Sequence, residues 1–216
     1  MEFNLPQDVS AKIKVLDEFI EKEIKPLENE NIKYFDYRRE HARTDWDNGG
    51  VPRREWMELL REMRNRADAA GHLRYPLPKE LGGSDGTNLG MAAIREHLAA
   101  KGLGLHNDLQ NEASIVGNFP VVLMFHEFGT PEQKAMIEGM ITGKFGVAFG
   151  LTEPNHGSDA TFLETTAVKQ GGDWILNGAK RFNSGLHVAT HDLIFARTSG
   201  EPGSAHGISG FLVPTN

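Results

Sequence analysis

The sequence predicts an α+β protein in which a helical bundle comes first and a mainly antiparallel β-domain follows. Up to Gly143, apolar residues recur at steps of three and four, which is typical of amphipathic helices. After Gly143, short apolar runs are separated by Gly, Asp and Asn turns, which is typical of strands. Helices and strands are segregated along the chain, so an alternating βαβ arrangement is not expected. We predict a helical domain over residues 1–144 and a β-domain over 145–216.

Five helices are predicted in the first domain. The first two follow from apolar stripes on one helix face; their members are Ile13, Leu16, Ile20, Ile24 and Leu27, and then Trp56, Leu59, Leu60, Met63 and Ala67. A third helix is expected from about Asn88 to Lys101, and a fourth over the apolar stretch from Val116 to Phe128. The fifth has the clearest start, because Thr130 and Gln133 form a predicted capping box around Pro131.

Five strands are predicted after Gly143, over residues 145–151, 165–170, 174–182, 192–198 and 207–214. Gly171-Gly172-Asp173 is a predicted hairpin turn. The sequence ends directly after the last of these strands. Because a β-domain needs its sheets completed, we expect the β-domain to be incomplete and the chain to be a truncated one.

The composition is that of a soluble globular protein. Basic residues number 23 and acidic residues 30, and this net charge of −7 argues against a nucleic-acid partner. The chain has no cysteine, which excludes disulfides, thiolate metal sites and a thiol nucleophile. Residues 1–10 have neither a basic nor an apolar signal region, and the apolar run 119–125 is too short to span a bilayer. We therefore expect a cytoplasmic protein with no membrane partner.

The segment richest in chemistry is L-T-E-P-N-H-G-S-D at residues 151–159, which is predicted to be a tight loop after a strand. Such a loop can direct several backbone N–H groups at phosphate oxygens, and Thr152 and Ser158 add hydroxyl donors. Taken by itself, this composition is more typical of an ordinary surface turn.

Three motifs together resemble the acyl-CoA dehydrogenase family. The loop at 151–159 is similar to the flavin-contacting signature of that family, and L-N-G-A-K-R-F-N-S at 176–184 resembles its second signature. F-G-T-P-E-Q-K at 128–134 matches the usual start of a helix ahead of both, and the loop at 76–84 resembles the family's P-x-x-x-G-G loop. The resemblance covers nearly the whole chain, more loosely before residue 76.

The resemblance implies that FAD is the cofactor and assigns site residues to it. The implied FAD-binding residues are Phe149, Leu151, Thr152, Gly157, Ser158, Phe182, Asn183 and Ser184. Among them, Gly157 and Ser158 would contact the pyrophosphate, and Ser158 would also touch the acyl-CoA substrate. The hydroxyl of Ser184 would lie near flavin N5. Phe182 and Asn183 stand where the family usually has Trp and Ile, which indicates a divergent member.

The implied reaction is α,β-dehydrogenation of an acyl-CoA thioester, an oxidation of a CH–CH group in fatty acid metabolism. In the family, a Glu of a C-terminal helical domain takes the α-proton, so the resemblance places the base beyond Asn216 and leaves this chain alone inactive. The implied partners are an electron-transfer flavoprotein or another acceptor, and further copies of the chain in a homo-oligomer. The alternatives are a non-catalytic or half-site subunit that needs a partner chain, a related flavoprotein oxidase or monooxygenase, and an interaction module without cofactor.

Three other features have simpler interpretations. His187 and His191 are four residues apart, but in a predicted loop, so we predict no metal site. The arginines from Arg38 to Arg66 alternate with carboxylates, which indicates a solvated, ion-paired face. Glu153 resembles a family residue with a structural role and is not predicted to be catalytic.

Overall fold

Two compact units make up the structure, a computed structural model that describes residues 4–108 and 113–215. The units are Met1–Thr142 and Gly143–Asn216. The first unit is mostly helical and the second contains a five-stranded sheet. The predicted fold class, with helices first and strands afterwards, is confirmed.

The helical unit begins with one continuous helical stretch. Helix α1 (Gln7–Phe19) passes through a π-helical turn (Ile20–Ile24) into helix α2 (Lys25–Glu30). The first predicted stripe lies along this stretch, where Leu16 and Ile24 are fully buried. The stripe was therefore predicted correctly, although the widened π turn has no local sequence signal.

Short elements then lead to the second long helix. They include helix α3 (Arg39–Arg43) and an antiparallel pair formed by β1 (Thr44–Asp45) and β2 (Val51–Pro52). Helix α4 (Arg54–Ala69) follows and buries the whole second predicted stripe. Helix α5 (Asn88–Ala100) agrees with the third prediction, and the Thr87 hydroxyl caps it by accepting a bond from Gly90 N. A second short antiparallel pair is formed by β3 (Asn107–Asp108) and β4 (Ala113–Ser114).

The fourth predicted helix is shorter than expected. Helix α6 spans Pro120–Phe128, so the prediction that it begins at Val116 was wrong. Proline lacks an N–H and disfavours helical backbone in the residue before it. Phe119 accordingly has φ −126° and ψ 52°, outside the helical region. The helix within the apolar stretch therefore begins only at Pro120.

The capping box at Thr130 is confirmed. Gln133 N donates to Thr130 Oγ1 at 3.3 Å, and Thr130 N donates to Gln133 Oε1 at 3.0 Å. The helix that it starts is divided by a turn at Met136 into α7 (Pro131–Ala135) and α8 (Ile137–Ile141).

The arginine-rich face is only partly solvated. Exposed pairs such as Arg54 with Glu58 agree with the prediction. Arg43 does not, because its guanidinium is buried, lies 2.6 Å from Asp108 Oδ2 and stacks 4.3 Å from the centre of the Trp56 ring. A buried charge of this kind needs its partner, since an unpaired one would be strongly unfavourable.

The second unit is organised around its fourth strand. The strands are β5 (Val147–Gly150), β6 (Thr166–Gln170), β7 (Asp173–Asn177), β8 (His191–Arg197) and β9 (Ile208–Pro214). β8 pairs with β9 along its full length in an antiparallel register and with β5 in a parallel one. β6 and β7 form an antiparallel hairpin through the predicted Gly171-Gly172 turn, and β6 joins β8 at Thr166 and Arg197.

The third predicted strand of this unit ends early. It was expected to reach Phe182, but β7 ends at Asn177. The next residue, Gly178, has φ +156°, and a Cβ there would lie 2.4 Å from Thr165 Oγ1. Only glycine allows this close approach. The chain leaves the sheet at this point, so residues 179–190 form a loop instead of extending the strand.

Membrane-spanning helices were sought throughout the described ranges. None of the helices there is both long enough and apolar enough to cross a bilayer.

Candidate functional site

The first motif follows directly from the end of β5. Phe149 lies near the end of that strand, is 40% exposed, and its ring centre is 5.1 Å from that of Phe195 on β8. Leu151 and Thr152 come next and are half-buried. The loop then turns back on itself, because Glu153 N donates to His156 O at 2.9 Å. The sheet therefore fixes the start of the motif, as the sequence predicts for a strand that leads into a tight loop.

The phosphate-facing part of the predicted site lies at the outside of this loop. Gly157 and Ser158 are exposed, and a Cβ added to Gly157 would meet no atom within 4 Å. Asp159 closes the loop by accepting bonds from the backbone N and the hydroxyl of Thr161. The two residues predicted to meet a pyrophosphate are thus open to a ligand.

The second motif begins in the last two residues of β7 and continues through the loop after that strand. Phe182 has φ +62°, in the left-handed region that non-glycine residues seldom adopt, and its ring is 79% exposed. Ser184 N donates to Phe182 O at 2.8 Å across this bend. Backbone strain combined with an exposed aromatic ring is typical of ligand sites. Ser184 itself is also exposed.

The two motifs are bonded to each other. Arg181 N donates to Thr152 O at 2.9 Å, and Lys180 Nζ donates to Leu151 O at 3.1 Å. Lys180 Nζ also donates to Glu153 Oε1 at 2.8 Å. The structure therefore brings together two segments that are about thirty residues apart in sequence.

Glu153 holds the loop in place. Its side chain is nearly completely buried, and it accepts bonds from Glu164 N at 2.5 Å and Thr165 N at 2.8 Å besides the one from Lys180. Burial would raise the pKa of Glu153, but hydrogen bonds from Glu164, Lys180 and Thr165 more than offset this and lower the pKa to about 2. Glu153 therefore stays ionised and accepts three hydrogen bonds, which suits a structural role better than proton transfer.

A cleft of about 520 Å³ opens beside the second motif. Its lining consists of Thr165, Leu176, Gly178, Lys180, Arg181, Phe182, Asn183, Leu186, Asp192 and Ile194. Phe182 and Asn183 are the two predicted cofactor residues in this lining, and Leu151 and Thr152 are bonded to it through Lys180 and Arg181.

Asn183 is paired with a residue that the sequence analysis missed. Its Nδ2 donates to Asp192 Oδ2 at 2.8 Å, and Asp192 is only 7% exposed although it is a carboxylate. A Cβ on Gly150 would lie 2.9 Å from Asn183 Nδ2 and 3.1 Å from Asp192 Oδ1, so a larger residue at this end of β5 would push against the pair. The unusual amide at position 183 thus has a structural partner, which no local sequence signal indicated.

The structure places the two histidines in different surroundings. His187 lies in the exposed loop, whereas His191 begins β8 with its Nδ1 2.9 Å from Thr190 Oγ1. Among residues 4–108 and 113–215, no three His, Cys, Asp or Glu side chains come together as a set of metal ligands.

Comparison with known proteins gives the same family for both units. Residues 11–144 match the N-terminal domain of acyl-CoA dehydrogenases, and residues 148–216 match their middle domain. A curated relative, the 3-(aryl)acrylate reductase of Clostridium sporogenes, is 32% identical over 203 residues, which are 93% of this chain and 46% of the relative.

Two solved structures extend the comparison. A glutaryl-CoA dehydrogenase from Mycobacterium smegmatis in complex with FADH2 has 26% identity and a TM-score of 0.64, over 98% of this chain and 46% of that one. The Tcur3481-Tcur3483 steroid ACAD has 25% identity and a TM-score of 0.63, over 100% of this chain and 50% of that one. The chain thus spans about half the length of the proteins it matches. Since both domain matches together cover nearly all of the sequence, the chain belongs to the acyl-CoA dehydrogenase family.

Proposed function

We propose that this chain supplies the flavin-binding part of an FAD-dependent acyl-CoA dehydrogenase that oxidises the α,β bond of an acyl-CoA thioester. The observation that carries the proposal is the bonding between the two motifs. Lys180 and Arg181 of the second motif hold the backbone of Leu151 and Thr152 in the first. Both loops that would contact a flavin in the family are therefore fixed against each other.

The residues present are suited to a flavin. A ligand site of this kind has mostly apolar walls and a few convergent polar groups. The cleft offers Leu176, Leu186 and Ile194 as walls, and the exposed ring of Phe182 as an aromatic surface. Its polar groups include the Asn183–Asp192 pair.

Each predicted residue has a role in this proposal. Phe149, Leu151, Thr152, Phe182, Asn183 and Ser184 hold the ring system, while Gly157 and Ser158 receive the pyrophosphate. Ser158 also meets the acyl-CoA. When bound, FAD supplies the acceptor for the hydride that leaves the β-carbon. The protein orients the thioester and keeps its α-carbon near a base.

We propose that the carboxylate that takes the α-proton is not in this chain. A general base must reach that proton with a free lone pair. The first motif carries two carboxylates: Glu153 is buried and accepts bonds from Glu164 N, Thr165 N and Lys180, and Asp159 accepts bonds from the backbone N and the hydroxyl of Thr161. The family resemblance assigns the base to a helical C-terminal domain.

The partners and setting follow from the same proposal. An electron-transfer flavoprotein or a similar acceptor reoxidises the flavin, and copies of the chain assemble into a homo-oligomer in the cytoplasm. The same site suits the reverse reaction, since the curated relative from Clostridium sporogenes is named a reductase. A related oxidase or monooxygenase would use the same residues to hold FAD.

The second candidate is a half-site subunit that works only with a partner chain. It is favoured by the steroid ACAD, whose name joins two designations. Under this proposal the base and part of the flavin pocket come from the partner.

The test begins with the protein purified in the form in which it occurs in the cell, with any chain that co-purifies. We expect a flavin absorbance spectrum that bleaches when acyl-CoA is added without an electron acceptor. The 216-residue chain expressed alone should show no bleaching with acyl-CoAs of several lengths. Bleaching by the lone chain would contradict the assignment of the base, whereas bleaching restored only by a second chain would favour the half-site subunit. A natural form without flavin would overturn the proposal.

A further inference from the structure

The pair formed by Asn183 and Asp192 leaves two buried oxygens without a partner. Asn183 Nδ2 and Asp192 Oδ2 bond to each other at 2.8 Å. Asp192 Oδ1 and Asn183 Oδ1 have no hydrogen-bond partner, although both atoms are buried and both residues line the cleft. A buried polar atom without a partner is costly, and native proteins rarely keep one without a reason. The two oxygens therefore indicate a ligand that is recognised here.

The chemistry of the two oxygens defines what they can bind. A carboxylate oxygen and an amide carbonyl oxygen both accept hydrogen bonds and donate none. Their complement is an N–H or O–H group, since a phosphate or carbonyl oxygen would be repelled. The described residues contain no cluster of acidic or histidine ligands here that would favour a metal ion instead.

The location of the pair connects it with the cofactor. Asn183 lies between Phe182 and Ser184, both predicted to flank the flavin, and Asp192 reaches the same point from β8. The missing side chain at Gly150 leaves the room that the two side chains need. A flavin carries suitable donors, namely N3–H on its ring and the hydroxyls of its ribityl chain.

We propose that Asp192 and Asn183 are a cofactor-binding acceptor pair that takes an N–H or O–H donor of the flavin. This inference rests on the proposed function and deepens it. Asp192 binds through its unpartnered Oδ1, and the bond from Asn183 Nδ2 to Oδ2 holds the carboxylate in place. The amide at position 183, where the family usually has isoleucine, is explained by this task.

The test compares Asp192→Asn with the wild-type protein, in its natural form and freed of cofactor. The variant keeps the shape of the side chain, and its oxygen can still accept the bond from Asn183. Its new NH2 group then faces the donor of the flavin. We expect FAD to bind about 10- to 100-fold more weakly, the usual cost of losing a hydrogen bond to a charged group. The control is Asp173→Asn, which removes an exposed carboxylate from the start of β7.

The direction of the change separates a direct bond from a general charge effect. FAD is an anion, so removing a negative charge should tighten its binding if Asp192 acted only through its charge. Weaker binding to Asp192→Asn therefore supports the direct hydrogen bond. Unchanged or tighter binding of FAD overturns the inference. The partner of the two oxygens would then be an ordered water only. Asn183→Leu places an apolar residue at position 183, where the family usually has isoleucine. It should also weaken FAD binding, and it is a second check if Asp192→Asn fails to fold.

A series of flavins identifies the donor. Lumiflavin lacks the ribityl hydroxyls, and 3-methylriboflavin lacks the ring N3–H, so the analogue without the bonded donor should lose its sensitivity to Asp192→Asn. If neither analogue loses it, the inference fails. A wild-type protein that binds no flavin would refute the proposed function and the inference together, whereas equal FAD binding by wild type and variant refutes the inference alone.

Discussion

Lys180 Nζ lies 2.8 Å from Glu153 Oε1, and both side chains are almost fully removed from solvent, at 8% and 2% exposure. This ion pair joins the two loops of the proposed flavin site. Its lysine also bonds to Leu151 O, so one ammonium group holds both a side chain and the backbone of the first motif. The integrity of the site should therefore depend on this pair.

Lys180→Met should destabilise the β-unit strongly. Removing one partner of a buried pair leaves the other charge uncompensated, which typically costs about 3–5 kcal/mol. The free energy of unfolding from urea denaturation measures this. Lys169→Met, an exposed lysine on β6, is the matched control and should change stability by less than about 0.5 kcal/mol. Equal effects of the two variants would refute the role of the pair.

The low pKa of Glu153 predicts a specific acid sensitivity. The pKa is about 4.5 for an ordinary Glu and about 2 in the folded protein, so the folded state favours the ionised form. The stability that Glu153 contributes is present above pH 4.5 and is lost as the pH falls towards 2. Urea denaturation at several pH values should show this loss in the wild type and a flatter profile in Glu153→Gln. The same slope in both proteins would assign the acid sensitivity to other groups.

His72 predicts a second pH window, in the helical unit. Burial first, and then the charge of Lys12, lower its pKa from 6.5 to about 4. Lys12 Nζ lies 2.8 Å from His72 Nδ1, so the ring must stay neutral to accept this bond. The stability that neutral His72 contributes is present above pH 6.5 and is lost as the pH falls towards 4. His72→Asn keeps an acceptor but does not titrate. In urea denaturation at several pH values, it should remove the fall in the free energy of unfolding between pH 6.5 and 4. His187→Gln, in an exposed loop, should leave this fall in place.

Phe182 should show opposite effects on stability and on flavin binding. Its φ of +62° is unfavourable for a residue with a Cβ, by about 1 kcal/mol, and glycine has no such cost. Phe182→Gly should therefore leave Tm unchanged or raise it, while the loss of the exposed ring weakens the binding of FAD. Phe182→Trp keeps an aromatic surface and should retain FAD. Tm and a flavin fluorescence titration give both readouts, and full FAD affinity in Phe182→Gly would remove Phe182 from the site.

Local signals predicted the parts of the fold that depend on neighbouring residues. The capping box at Thr130 uses atoms three residues apart, and the stripe through Trp56 depends only on helix periodicity. The start of α6 was wrongly predicted at Val116, although the sequence contains the signal for the true start. Pro120 restricts the backbone of Phe119 to non-helical angles. The early end of β7 has no such signal in the sequence, since it depends on how closely Gly178 approaches Thr165.

The site was predicted by resemblance, and its long-range bonds were not predicted at all. Glu153 and Lys180 are 27 positions apart, and the loops that carry them are brought together only by the folded sheet. Asn183 and Asp192 meet beside Gly150 because β5 and β8 pair in parallel, and nothing in the sequence indicated that pairing. Asp192 was therefore missed although it lies next to His191, which was considered.

Ser158→Asp should weaken FAD without affecting riboflavin. Ser158 is exposed beside Gly157, in a loop that is predicted to meet the pyrophosphate. A carboxylate there would repel that anion, but riboflavin has no phosphate for it to repel. Titration of the cofactor-free protein with both ligands, followed by flavin fluorescence, gives the two affinities. Asp159, whose carboxylate already accepts bonds from Thr161 on the same loop, shows that an acidic residue is compatible with folding there. Ser158→Ala is the neutral control. An equal loss of affinity for both ligands would mean that the substitution distorts the loop. Unchanged FAD affinity would show that Ser158 does not contact the pyrophosphate.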